Sequence, residues 1–171
     1  VALRCDMILN LKKVFINEEE SLTFEYQMDM SNVKFDGCNP FIDPVEVQGN
    51  VENSDGIVTL NYKVVLNYYH PCDRCMNDVK QTFKYSFNHI LCLKDNDSDL
   101  NETYIILDEY ELDLDKQVET DLFLELPSKV LCSDNCKGLC DKCGKDLNKG
   151  TCNCVTYQVD PRLEVLKDLI D

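Results

Sequence analysis

Between Pro44 and Leu93 apolar side chains recur at every second position. Val45, Val47 and Val51 alternate with polar neighbours, NSDG at 53–56 reads as a turn, and Val58, Leu60, Tyr62, Val64, Leu66 and Tyr68 then hold the even positions. Their odd partners Thr59, Asn61, Lys63 and Asn67 are polar, so the period of two predicts a long strand with one face inward. After CDRC at 72–75 the phase resumes on Val79, Phe83, Tyr85, Phe87, Leu91 and Leu93, with Lys80, Thr82, Lys84, Ser86 and Asn88 opposite. Two long antiparallel strands sharing an end at CDRC are expected.

Elsewhere the period changes. Leu114, Val118, Leu122 and Leu126 recur every four residues, with Asp113 near the start and Pro127 beyond the end, which predicts an amphipathic helix laid on the sheet. In DPRLEVLKDLID, Asp160 can cap, Pro161 suits a first turn, and Leu163, Leu166 and Ile170 form an apolar stripe for a short closing helix. Residues 1–43 are less regular, although Leu22, Phe24, Tyr26 and Met28 suggest one half-buried strand. The expected fold is α+β: an antiparallel sheet or partly closed barrel, a packed helix, and a cysteine-rich zinc-knuckle segment ending in a short helix. Residues 1–131 form the sheet-and-helix domain in this reading, and 132–171 a metal-clamped tail packed on the hairpin tip.

Composition narrows the partners. A 44% hydrophobic share suffices for a core, but the net charge of −15 repels phosphate backbones. A basic protein partner fits that surface better than bare RNA. Residues 95–125 hold twelve acids against the single base Lys116, read as a solvated loop and a polar helix face. Asp95, Asp97 and Asp99 imitate the start of a calcium loop. Leu100 at the sixth position and Ile106 at the twelfth exclude an EF-hand. VALRCDMILNLKKVF lacks a signal-peptide pattern, and no apolar run approaches membrane-spanning length. A reduced, cytoplasmic chain is therefore expected.

The chemistry lies in cysteine. CSDNCKGLCDKCGKDLNKGTCNC, from Cys132 to Cys154, packs six cysteines into 23 residues, and Cys72 and Cys75 add a pair upstream. Eight thiols are the number two closed tetrahedral zinc sites require. Cys140 and Cys143, followed by Gly144, have knuckle spacing, and Cys152 and Cys154 point to one side of an extended segment. These four then form one site, and Cys72, Cys75, Cys132 and Cys136 the other. The competing grouping places Cys132, Cys136, Cys140 and Cys143 on one ion and Cys72, Cys75, Cys152 and Cys154 on the second. All-thiolate coordination leaves no open position, so both ions are read as structural. Cys5, Cys38 and Cys92 are read as small hydrophobes or spare thiols. His70 and His89 are read as structural or solvated, and no base–nucleophile pair marks a catalytic residue.

HPCDRC between two long strands, the LELP helix end, CKGLCDKCGKDLNKGTCNC and DPRLEVLKDL together resemble the YceD family, the large ribosomal RNA subunit accumulation proteins, over about residues 44–170. The resemblance implies a cytosolic, non-enzymatic factor for 23S rRNA accumulation and large-subunit assembly, working on a large-subunit precursor or a basic ribosomal protein. In shorter relatives the position of Cys132 can be histidine, followed closely by a cysteine matching Cys136, which supports the first grouping. If rRNA is contacted, Lys137, Lys142, Lys145 and Lys149 are the candidates, because within 132–154 they outnumber Asp134, Asp141 and Asp146. The alternatives are a zinc-dependent nucleic-acid binder using those lysines and a CxxC thiol oxidoreductase using Cys72 and Cys75. A nuclease has family grounds alone.

Overall fold

The computed structural model describes residues 7–35, 37–94 and 104–154. Cys5, the Asp95–Asp97–Asp99 run and the expected helix from Asp160 to Ile170 lie outside the described residues. Two compact units divide the chain. One holds the chain up to His70 and from Lys80 to Ser128; the other holds Pro71–Val79 and the chain from Lys129 on.

The first unit is built on a five-stranded sheet ordered β2-β3-β4-β5-β6, from β2 (Ser21–Met28), β3 (Val45–Ser54), β4 (Ile57–Pro71), β5 (Asp78–Leu93) and β6 (Tyr104–Leu107). The first two pairings are antiparallel, with Phe24 opposite Gly49 and Val51 opposite Leu60. Across β4 and β5, Asn61 meets Asn88 and Asn67 meets Thr82, one number falling as the other rises, as antiparallel strands require. Asp55 and Gly56, both at positive φ (53° and 82°), make the two-residue turn between β3 and β4. Such a turn needs the left-handed region twice, which Asp-Gly supplies.

The period-two reading fixes the faces correctly. Val58, Leu60, Tyr62, Val64, Leu66 and Tyr68 are all buried, as are Val45, Val47 and Val51, while Lys80, Thr82, Lys84, Ser86 and Asn88 are exposed. Phe83, Tyr85 and Phe87 are half-buried and stack along β5 at centroid spacings of 5.8 and 6.2 Å. Over the inner face lies α2 (Leu114–Glu125), with Leu114, Val118 and Leu122 buried. Asp113 caps it by accepting the Lys116 N–H at 3.0 Å.

Three features depart from the sequence expectation. The sheet is open, with β2 and β6 at its edges, because the helix rather than a closing strand covers the inner face. The β5–β6 pairing is parallel, Leu91 opposite Ile105 and Leu93 opposite Leu107, so the sheet is mixed. A second sheet pairs β1 (Ile8–Asn10) with β7 (Glu111–Asp113), and α1 (Lys12–Ile16) follows β1. These segments of three to five residues are too short to show a period.

Candidate metal centres

In the second unit the two knuckles fold alike. After each Cys-x-x-Cys the next residue takes a left-handed conformation, Met76 at φ 59° and Gly144 at φ 70°. Its N–H donates to the carbonyl of the first cysteine, Met76 to Cys72 at 2.9 Å and Gly144 to Cys140 at 2.8 Å. The first cysteine's own N–H donates five residues on, to Asn77 at 2.8 Å and to Lys145 at 2.9 Å. This closed turn places both sulfurs of each pair on one side.

The eight thiols gather in two groups of four. Cys72, Cys75, Cys132 and Cys136 have their sulfurs within 4.8 Å of one another, and so do Cys140, Cys143, Cys152 and Cys154. The sulfurs of Cys72 and Cys136 are 3.8 Å apart, and those of Cys75 and Cys132 3.5 Å. A tetrahedron with metal–sulfur bonds of about 2.3 Å has an edge of roughly 3.8 Å, so these two distances are of the size a divalent ion held by four thiolates requires. The histidines belong to neither group. His70 is buried with its ring stacked on Tyr68 at 5.8 Å, and His89 lies 2.7 Å from Asp121. Cys38 and Cys92 are half-buried and belong to neither group either.

The first group is the better sealed. Cys72, Cys75 and Cys136 are buried and form a small core with the partly buried Val79, Leu131 and Leu139; only Cys132 is exposed. Asp73 accepts the Val130 N–H at 2.5 Å, and the Asp73 N–H donates to the Val130 carbonyl at 2.9 Å. Arg74 donates from its guanidinium to the Cys136 carbonyl at 2.9 Å, and its own carbonyl accepts the Leu139 N–H at 3.1 Å. In the second group Cys140 is buried, Cys152 and Cys154 are half-buried, and Cys143 is exposed.

Each group contains sulfurs prepared to be anions and sulfurs that are not. Burial pushes the Cys72 thiol up, but backbone hydrogen bonds from Arg74, Cys132 and Cys75 outweigh it and hold the thiol at about 6. Backbone hydrogen bonds from Cys143 and Lys142 hold Cys140 at about 6 as well. Cys132 is pushed up to about 12 by hydrogen bonding to the Cys136 and Cys75 thiols, and Cys154 to about 12 chiefly by hydrogen bonding to Cys143. Four thiolates cannot share so small a space without a cation to neutralise them. Metal uptake by either group therefore releases protons and tightens as pH rises.

The four candidate lysines of this unit are all exposed. Lys145 donates from its ammonium to the Thr151 carbonyl at 2.7 Å, and Lys149 sits 3.7 Å from an Asp146 oxygen. Lys137 and Lys142 make no ion pair among the described residues.

Sequence reasoning missed a buried polar cluster in the first unit. Asp121 on α2 accepts hydrogen bonds from Tyr62 and, at 3.1 Å, from Gln117, and meets His89 Nε2 at 2.7 Å. Burial pushes its carboxyl up, but hydrogen bonds from His89, Tyr62 and Gln117 prevail and lower it. Burial and Asp121 together raise the Tyr62 phenol. Asp121 stands three residues after Val118, hence on the apolar stripe, and that spacing was the available signal. On the sheet's outer face a groove of about 650 Å³ is lined by Glu25, Gln48, Asn50, Asn61, Lys63 and Asn88 among others.

Comparison with known proteins follows the same elements. The family model described as large ribosomal RNA subunit accumulation protein YceD matches residues 60–170, from the ribbon through the helix and both thiol groups. The protein named YlbN of Bacillus subtilis (strain 168) is 25% identical over 154 residues, covering 89% of this chain and 90% of that one. The chloroplastic large ribosomal RNA subunit accumulation protein YCED homolog 1 of Arabidopsis thaliana is 41% identical over 50 residues, 29% of this chain. Its Zea mays counterpart is 32% identical over 69 residues, 38% of this chain. The match spans only 16% and 24% of the two plant proteins. No solved structure matches the chain. No helix among the described residues is long and apolar enough to cross a membrane.

Proposed function

Because the chain belongs to the YceD family, whose name records large ribosomal RNA subunit accumulation, we propose that it is a cytoplasmic ribosome-biogenesis factor. It supports 23S rRNA accumulation and large-subunit assembly without catalysing a reaction, by binding a large-subunit precursor through a basic ribosomal protein. The observation that carries this reading is the family match across the ribbon, helix and both thiol groups, joined to a net charge of −15. Free RNA is repelled by such a surface, and basic protein is attracted.

In this reading Cys72, Cys75, Cys132 and Cys136 hold one zinc ion, and Cys140, Cys143, Cys152 and Cys154 a second. Bound zinc supplies four strong bonds to thiolate at each point and no vacant position for water or substrate. The residues do the rest: backbone N–H groups at the knuckles stabilise the anionic sulfurs, and Asp73 and Arg74 fasten the ribbon tip to the segment that follows α2. A thiol oxidoreductase needs Cys72 and Cys75 unligated, whereas both are buried among other thiols.

Affinity capture with crosslinking from the protein's own cytosol tests the proposal, read for proteins and RNA together. Large-subunit precursors with a crosslinked basic ribosomal protein are expected. Absence from every precursor fraction would sink it. The second reading, RNA contact through Lys137, Lys142, Lys145 and Lys149, is favoured by their exposure on a segment where lysines outnumber acids. Replacing all four by alanine should then flatten the salt dependence of RNA binding, and an unchanged slope removes this reading.

A further inference from the structure

The loop from Gly144 to Thr151 lies between the second and third ligands of the second thiol group, yet its polar side chains serve the first. Asn148 donates from Nδ2 to the Cys136 sulfur at 3.3 Å, while its Oδ1 accepts the Lys137 N–H at 2.8 Å. Asp146 fixes that amide: its Oδ1 accepts from both the Asn148 N–H and Nδ2 at 2.9 Å. The other Asp146 oxygen accepts from Asn77 Nδ2, at the ribbon tip, at 3.1 Å. Backbone bonds hold the same segment, with Leu147 N–H donating to the Gly138 carbonyl at 2.9 Å and Leu139 bridged to Asp146.

We propose that Asn148 is a positioning residue that couples the two thiol groups, so that metal in the second group raises retention of metal in the first. The physical chain is short. Residues 144–151 contain one large apolar side chain, the half-buried Leu147, so hydrophobic burial cannot order them. Closing Cys140, Cys143, Cys152 and Cys154 on an ion fixes both ends of the loop. The Asn148 side-chain amide is then held with its Nδ2 against the Cys136 sulfur, which it stabilises as a thiolate and orients. Loss of such a partner beside a metal ligand typically lowers affinity 10–100-fold. By linkage the first ion strengthens binding of the second by the same factor.

The inference rests on the proposed metal reading, and one experiment separates the two. The full chain is loaded with cobalt, its metal content is counted, and a chelator is added. Alkylation of each cysteine is then followed by mass spectrometry. Asn148→Asp keeps an oxygen to accept the Lys137 N–H but removes the donor to sulfur. It should expose Cys72, Cys75, Cys132 and Cys136 at about tenfold lower chelator. Opening the second group with Cys152→Ser and Cys154→Ser should do the same. Combining all three changes should add little, because the donor is already lost. Unchanged protection of the first group in Asn148→Asp overturns the coupling, as do effects that simply multiply in the combination. Wild-type protein that binds no cobalt overturns the metal reading beneath it.

Discussion

The two units exclude water with different materials. In the first, Val45, Val47, Leu60, Val64, Leu66, Leu114 and Leu122 each expose 1% or less of their surface, and hydrocarbon removed from water holds the layers together. In the second, the buried apolar positions among the described residues are Val130 and the cysteines Cys72, Cys75, Cys136 and Cys140. A sheet can order itself because each long strand contributes an apolar side chain at every second residue. A short segment dense in lysine, aspartate and glycine cannot, and on the proposed metal reading a bound ion supplies the missing free energy. The first unit should therefore answer to core packing and the second to solution chemistry.

Removing the proposed metal tests that division at its widest. Structural zinc in small thiolate sites contributes about 10–16 kcal/mol, more than any side chain of the sheet can. Chelator should bring amide exchange across 129–154 to the rate of an unfolded chain, and Cys72→Ser should do so across 129–139, while β3 and β4 stay protected. Hydrogen exchange read by mass spectrometry checks both. Equal loss in the two places would erase the comparison.

The converse change is Leu122→Ala. Leu122 is fully buried on α2, so deleting its branched end should cost about 2–5 kcal/mol, including the cavity it leaves. Denaturant unfolding followed through the sheet should shift accordingly, with the metal content of the protein unaltered. Metal lost in proportion to stability would argue for a single cooperative fold instead.

What could be read from the chain beforehand follows the same line. Strands β4 and β5 were legible because fifteen- and sixteen-residue strands repeat their period many times. The helix was legible from Leu114, Val118 and Leu122 with Asp113 at its start. Both knuckles were legible because ligand spacing is a local property. Segments of three to five residues carry no period, so β1, α1, β6 and β7 were invisible. The open edge and the parallel β5–β6 pair depend on distant segments meeting. Asp121 was hidden by its chemistry: a carboxylate among many in an acidic run reads as solvent-facing, although its spacing from Val118 places it inside.

That buried carboxylate gives the first unit one sensitivity to solution of its own. Asp121→Ala should cost about 3 kcal/mol, since Tyr62, His89 and Gln117 lose a charged acceptor. Its carboxyl is lowered in the folded protein, so the native state favours the ionised form. The associated stability is fully present above the ordinary carboxylate value of 3.8 and is lost as pH falls through the lower folded value. Urea midpoints measured from pH 6 downward should fall less steeply in the variant. An identical acid slope would mean the cluster is not what links this unit to pH.

The smallest effect discriminates most finely, because it compares one knuckle with the other inside the second unit. Gly144 and Met76 occupy the same left-handed position after their cysteine pairs, at φ 70° and 59°. A methyl group added at Gly144 would meet no atom within 4 Å, so Gly144→Ala should cost backbone strain alone, about 1 kcal/mol. Met76→Gly relieves the equivalent strain and should gain up to about 1 kcal/mol, less the extra freedom glycine has when unfolded. Read as metal retention against a chelator, each is at most about fivefold, in opposite directions and at different groups. Equal and opposite shifts would mean that the two knuckles are one device used twice. A loss at Gly144 without a gain at Met76 would mean that packing around the ribbon tip already holds the left-handed turn.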